Sequence, residues 1–259
     1  MAEAFYLPNG DNRFVSTDNT IGPWGPDSQH GGPPSALLGR AIENVDERTD
    51  LQVARISFDI LRPVPIAPLT VTAEVGRAGR SVQLVRASLH ADDTEVMRAT
   101  AWRIRTETLE LEPQPQGDPP PGPEHGEASW MWDGSVNYVT SMEGSFIEGS
   151  FLEPGPAVAW LRARFPLIPD EEPSPLQRVL LAADSASGIS AELDWAKWLF
   201  VNPDLAVYLH RMPAGEWICF DAKTTIDPDG IGLAASTIYD ESGPVGRTLQ
   251  TLFVSPRKP

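Results

Sequence analysis

The sequence predicts an α+β chain made of two copies of one unit, each an antiparallel sheet preceded by a helix. Three observations predict it. The chain resembles itself at an offset of 149 positions, where Arg62 meets Arg211, Leu84 meets Leu233, Val96 meets Val245 and Arg98 meets Arg247, with no gap from Ile56/Leu205 to Ile104/Phe253. Period-two alternation marks four strands in each copy, and a helical pattern precedes each set, over 34–47 and 174–191. Similarity at so long a period means a duplicated unit rather than a stack of short repeats.

In the first copy, Ala4–Leu7 and Arg13–Ser16 read as short strands. A loop rich in glycine and proline, from Ile21 to Pro34, opens the first helix. Leu37, Leu38, Ala41, Ile42 and Val45 fall at helical spacing. Pro34 sits in the first turn, where its missing N–H costs nothing. Four alternating strands follow, Val53–Leu61, Leu69–Val75, Val82–His90 and Val96–Arg105, with connections short enough for antiparallel neighbours. Residues 106–127 are dense in Glu and Pro and read as a semi-rigid, extended linker. The chain therefore divides into modules 1–106 and 128–259, joined by 107–127. In the second copy, 135–151 and 157–165 lead into a helix over Leu176–Ala186. Trp198–Leu209, Trp217–Thr225, Gly232–Tyr239 and Val245–Val254 are its strands, rich in aromatic and β-branched residues.

Composition narrows the function. With 259 residues and 41% hydrophobic content the chain can bury two substantial cores. The balance of 20 basic against 36 acidic residues, net −16, disfavours nucleic acid as a partner, because phosphate neutralisation needs clustered Lys and Arg. The lone cysteine, Cys219, permits no disulfide within the chain and fits a reducing cytoplasm. The first residues lack the basic and apolar regions of a signal peptide, and no 18-residue apolar run reads as a membrane span. Nucleophile-elbow and metal chemistry are disfavoured too: no Gly-x-Ser-x-Gly occurs, and His30, His90, His125 and His210 show no ligand spacing.

Asp184 is the sharpest candidate for chemistry. It lies among Ala182, Ala183, Ser185 and Ala186, and a carboxylate among small apolar residues is costly to bury unless partnered. It is either a base that activates water or an acid capping its own helix end. Gln250, between Leu249 and Leu252, can donate and accept at once.

The loop and helix His30-Gly31-Gly32-Pro33-Pro34…Leu37-Leu38, the helix segment Leu180-Leu181-Ala182-Ala183-Asp184, the strand end Leu209-His210-Arg211 and the final strand's Thr248-Leu249-Gln250 resemble the acyl-CoA thioesterase II family. The resemblance spans nearly the whole chain except the linker. It implies a tandem (double) hotdog fold, each antiparallel sheet wrapping a central helix. It also implies hydrolysis of acyl-CoA to CoA and a fatty or other carboxylic acid, without cofactor or metal, in fatty acid metabolism. Hotdog units usually pair, so a homodimer is expected. The resemblance makes Asp184 and Gln250 catalytic. The family's threonine falls on Asn202, a departure that still offers a hydrogen-bonding group. Under the repeat, Asp184 falls on Glu43, Gln250 on Ala101 and Asn202 on Val53, so one working constellation per chain is expected, with Glu43 a surface acid or a relic. His30, Gly31 and Gly32 are the substrate-binding candidates. Glycines there let a ligand approach the N–H groups at the positive end of the first helix, which in such enzymes often faces the partner unit's carboxylate. A hotdog hydratase acting on an enoyl-CoA and a non-catalytic acyl-CoA-binding module are the alternatives; Asp184 lacks the following histidine that such hydratases carry. Arg62, Arg80, Arg86, Arg211 and Arg247 are candidates to receive the anionic CoA. Trp195, Trp198, Phe200, Phe151 and Trp160 are candidates to line the acyl tunnel.

Overall fold

A computed structural model of the chain describes residues 3–112, 117–128 and 137–257. The first half contains β1 (Tyr6–Pro8), β2 (Arg13–Ser16), α1 (Gly32–Glu43), β3 (Leu51–Ile60), β4 (Pro68–Arg77), β5 (Val82–Ala91) and β6 (Thr94–Arg105). The second contains β7 (Met142–Ser150), β8 (Glu153–Ala163), α2 (Pro175–Ala183), α3 (Ala186–Ile189), β9 (Trp198–Val201), β10 (Asp204–Leu209), β11 (Ile218–Ile226), β12 (Ile231–Asp240) and β13 (Gly243–Pro256). The start of the expected 135–151 segment lies outside the described residues.

All thirteen strands join one antiparallel sheet in the order β1-β2-β4-β5-β6-β3-β10-β13-β12-β11-β8-β7, with β9 added on β13. Read from either edge, the order is the same under the repeat: β4 corresponds to β11, β5 to β12, β6 to β13 and β3 to β10. The offset of 149 lays β5 on β12 end to end. β3 and β10 join the halves antiparallel, with Phe58 opposite Leu205 and Ile56 opposite Val207. These side chains are buried, so the seam is part of the core rather than a hinge.

Each half wraps its own helix. α1 lies against β3 to β6, and α2 and α3 against β8 and β11. The two helices also pack on each other, and Gly39 of α1 makes that approach possible: a Cβ there would meet Leu180 Cδ1 at 2.3 Å. Leu37, Leu38, Leu176, Leu180 and Leu181 are fully buried at this junction, each contributing roughly 1.5–3 kcal/mol.

Three elements depart from the sequence reading. α1 stops at Glu43, four residues early. The second helix breaks at Asp184 into α2 and α3 rather than running on to 191. The long strand Trp198–Leu209 is two strands, because Asn202-Pro203 interrupts it and proline has no N–H for the ladder. The second half of the linker packs against the sheet: Ser145 Oγ donates to Pro123 O at 2.5 Å, and Trp160 Nε1 donates to Pro121 O at 2.7 Å.

Candidate active site

The break in the second helix puts Asp184 at the end of α2, facing the start of α1 from the other half. Three N–H groups converge on its carboxylate. Gly31 N donates to Oδ2 at 3.0 Å, Asn202 Nδ2 to Oδ1 at 2.7 Å and Gln250 Nε2 to Oδ1 at 3.1 Å. The positive end of α1 faces the acid, which favours negative charge there. Asp184 is thus held by Gly31 of the opposite half and by Asn202 and Gln250 of its own, rather than by the end of its own helix.

Gln250 is fully buried on the inner face of β13, at the centre of the sheet. Its Nε2 also donates to Asp184 O at 3.2 Å, and its Oε1 accepts from Ser187 N at 3.1 Å. It therefore locks both the acid and the start of α3. Asn202 sits in the interruption between β9 and β10. Its Nδ2 spends both hydrogens, on Asp184 Oδ1 and on Asp204 O at 3.1 Å. Among the described residues no donor reaches its Oδ1.

Gly31 and Gly32 are glycine for lack of space, not for a left-handed backbone. A Cβ on Gly31 would lie 2.7 Å from Asp184 Oδ2, and one on Gly32 2.2 Å from Leu181 O. Both N–H groups are spent inside the chain: Gly31 N on Asp184, and Gly32 N on His30 Nδ1 at 3.1 Å. The second bond fixes the tautomer. With Nδ1 accepting, His30 carries its proton on Nε2. Burial pushes the imidazole pKa below its ordinary value, against the pull of nearby Asp184. His30 Nδ1 lies 3.5 Å from Asp184 Oδ2, but the neutral ring makes this a contact between acceptors rather than an ion pair. The ring stacks on Tyr138 with centroids 3.6 Å apart. Tyr138 is tied to Leu181 O and Ser185 Oγ, both at 2.8 Å.

A cavity of about 440 Å³ opens on this cluster. Its lining includes His30, Gly31, Asp184, Ser187, Gly188 and Asn202, with Trp24, Trp195, Met97, Val64 and Phe253 as apolar wall and Arg62 at the rim. Of the five candidate arginines only Arg62 lines it, and among the described residues its side chain makes no ion pair. Arg211 is spent on Asp240. Of the tunnel candidates Trp195 lines the cavity, Phe200 and Phe151 stand against Trp195, Trp198 packs on the Phe200 cluster but does not line the cavity, and Trp160 lies elsewhere, bonded to Pro121 O. Tyr138 and Ser187 escaped the sequence reading; Tyr138 borders a segment without periodicity, and the part Ser187 plays depends on the helix break.

The counterpart acid, Glu43, is partly buried and has polar partners. It ends α1 and faces the start of α2, where Ser174 Oγ donates to its Oε2 at 2.8 Å and Gln177 Nε2 at 3.3 Å. Burial raises its pKa above the usual carboxylate value. Each helix end thus meets the other helix's start, but only the Asp184 end opens on the cavity.

One sheet wrapping two central helices, in two pseudo-equivalent halves, is a double hotdog. A family model for the acyl-CoA thioesterase N-terminal domain matches residues 20–104, and one for the acyl-CoA thioesterase C-terminal domain matches 107–254. The chain belongs to the acyl-CoA thioesterase family and is a thioesterase. It resembles a hot dog fold protein of unknown function from Alicyclobacillus acidocaldarius (16% identity over 99% of this chain and 97% of that one, TM-score 0.75). It also resembles the tesB protein of Mycobacterium avium subspecies paratuberculosis (18%, 97% and 96%, TM-score 0.70) and the acyl-CoA thioesterase II TesB2 of Mycobacterium marinum (18%, 96% and 92%, TM-score 0.65). No curated protein sequence matches it. No helix among the described residues is long and apolar enough to cross a membrane, and no group of three or more His, Cys, Asp or Glu there could hold a metal ion.

Proposed function

We propose that the chain hydrolyses an acyl-CoA thioester with Asp184 as general base on water. The observation that carries the reading is the convergence of Gly31, Asn202 and Gln250 on one carboxylate that faces the cavity. Oδ1 is filled by two donors. Oδ2 accepts one and keeps a lone pair for the proton of a water. Asn202 Oδ1 accepts that water's second hydrogen, so asparagine does here what the family's threonine does. The activated water attacks the thioester carbonyl carbon. The carbonyl oxygen, charged in the tetrahedral intermediate, is received by His30 Nε2–H, a neutral donor fixed by Gly32 and Tyr138. Gly31 and Gly32 serve the substrate indirectly, by holding the acid and the imidazole. Collapse of the intermediate breaks the C–S bond, and the proton taken by Asp184 passes to the departing thiolate. The products are a free carboxylic acid and CoA, and no covalent intermediate forms on the protein. Gln250 and Asn202 orient the base.

The same reading keeps 1–106 and 128–259 as modules joined by 107–127, and pairs two chains. Half-exposed Tyr208, Leu233 and Leu249 on the outer sheet face support such pairing. The buried thiol of Cys219, its pKa raised by burial, fits a reducing cytoplasm. Light scattering giving a single 28.2 kDa species would refute the dimer. The test of function is thiol release from a panel of acyl-CoA thioesters by the wild-type chain and by Asp184→Asn. Release by wild type and its loss in the variant are expected; enoyl-CoA hydration, or tight binding with no release, would replace the reading.

A further inference from the structure

Resting on this thioesterase reading, we infer that the acyl group the cavity takes is compact and aromatic, an aryl-bearing acyl-CoA rather than a long straight chain.

The inference comes from the wall behind the reacting centre. Gly188, four residues after Asp184, lies against the indole of Trp195: a Cβ there would be 3.9 Å from the ring. Trp195 leans on Trp24, with centroids 5.2 Å apart, and both rings line the cavity. Phe200 stands behind both, 4.5 Å from Trp195 and 5.6 Å from Trp24, and Phe151 stacks on Trp195 at 5.8 Å. Phe200 is buried and forms a second layer of ring behind the two indoles. On the outside, the Arg257 guanidinium lies 5.6 Å from the centroid of Trp24 and covers that ring. Trp24, Trp195 and Phe200 belong to a small apolar cluster separate from the main core, packed with Ala191, Leu252 and Val254, while Phe151 packs on the main core. Leu61, Arg62, Pro63 and Phe253 are exposed where they line the cavity, as are Pro203 and, beside Trp24, Pro23.

Two physical consequences follow. At about 440 Å³ the cavity is at the small end of ligand pockets, roughly 300–1,000 Å³, and it must also hold the thioester. A straight chain running inward from Asp184 meets two layers of rings. A phenyl group fits that depth and meets aromatic faces, a match worth roughly two- to tenfold in affinity over an aliphatic group of equal size. Among the described residues the buried indole Nε1 of Trp195 meets no acceptor. An aliphatic side chain would fill the same space without that cost, so the wall uses the flat ring and not its donor.

Binding and turnover are measured separately. Calorimetry with non-hydrolysable CoA thioethers bearing phenylethyl, hexyl, dodecyl or hexadecyl tails reads the cavity without needing catalysis. The phenylethyl compound is expected to bind at least tenfold tighter than the hexadecyl compound, and tighter than hexyl. Trp195→Leu should abolish the preference of phenylethyl over hexyl. Trp195→Ala should open the end wall and improve dodecyl binding relative to wild type. Trp24→Leu, with its melting temperature recorded, repeats the test should Trp195→Ala fold poorly. Tightest binding of the hexadecyl compound by wild type, or unchanged tail preference in both tryptophan positions, overturns the inference. Aryl preference in binding with no thiol release from phenylacetyl-CoA would sink the thioesterase reading and leave this one standing.

Discussion

Replacing Asp184 by Asn tests the mechanism and the duplication together. The carboxylate accepts one N–H on Oδ2 and two on Oδ1. An amide must turn its NH₂ toward one side. Toward Oδ1 it would oppose two donors; toward Oδ2 it opposes one, the Gly31 N–H. The second orientation wins and leaves one buried donor unpaired, a loss of about 1–3 kcal/mol. A typical domain is stable by about 5–15 kcal/mol, so the variant folds. For a chain of this size the melting temperature should drop by roughly 2–4 °C for each kcal/mol lost. The rate responds differently. Without a base, kcat should fall by about 10²–10⁴, with KM little changed because the carboxylate does not hold the thiol arm. The assay is continuous detection of released CoA thiol on the best substrate, beside a thermal melt. Glu43→Gln is the control: glutamine keeps an oxygen for Ser174 and Gln177, and Glu43 does not face the cavity, so kcat should stay within about threefold. A kcat within tenfold of wild type in Asp184→Asn, or an equal loss in Glu43→Gln, refutes the assignment.

Other outcomes follow from the same geometry. Because burial raises the folded-state pKa of Glu43, the folded chain binds more protons than the unfolded one; stability should therefore fall as pH rises above the ordinary glutamate value of 4.5 toward the raised one, and Glu43→Gln should flatten that slope in pH-dependent denaturant melts. Gly31→Ala forces a methyl to within 2.7 Å of Asp184 Oδ2, so it should lower kcat sharply and stability by about 1–3 kcal/mol, as read by the same two assays. His30→Ala should lower kcat by about 10²–10³ if its Nε2–H receives the oxyanion; an effect confined to KM would assign His30 to binding alone. Activity should survive exhaustive chelation, since Asp184 acts on water directly; its loss and recovery with one added metal would contradict the mechanism.

The strands were legible because their alternation is reinforced by the repeat: Val82–Ala91 and Ile231–Asp240 support each other's reading. The interruptions were not. Asn202-Pro203-Asp204 interrupts the apolar run, but the residues on either side, Trp198–Val201 and Leu205–Leu209, read as one strand until the ladder's need for an N–H is counted. A helix end at Asp184 is one of two readings, but Ala186 and Ile189 continue the helical spacing, which leaves the break unplaced. The acid and its glutamine could be chosen from residue chemistry and resemblance, but their partners could not. Gly31 meets Asp184 across 153 positions, and Ser174 meets Glu43 across 131. Such contacts leave no local periodicity. The glycines were read as an opening for ligand, whereas their missing side chains make room for the acid and for Leu181 O.

The crossing of the helix ends has a consequence for biosynthesis. Neither half holds a complete site: the donor of Gly31 and the ring of His30 are made early on the ribosome, and the carboxylate that they serve is made about 150 residues later. An N-terminal fragment alone would leave the Leu180-facing side of α1 uncovered and the α1 start without its anion. Activity therefore reports docking of the two halves, and separately expressed halves should regain it only on mixing.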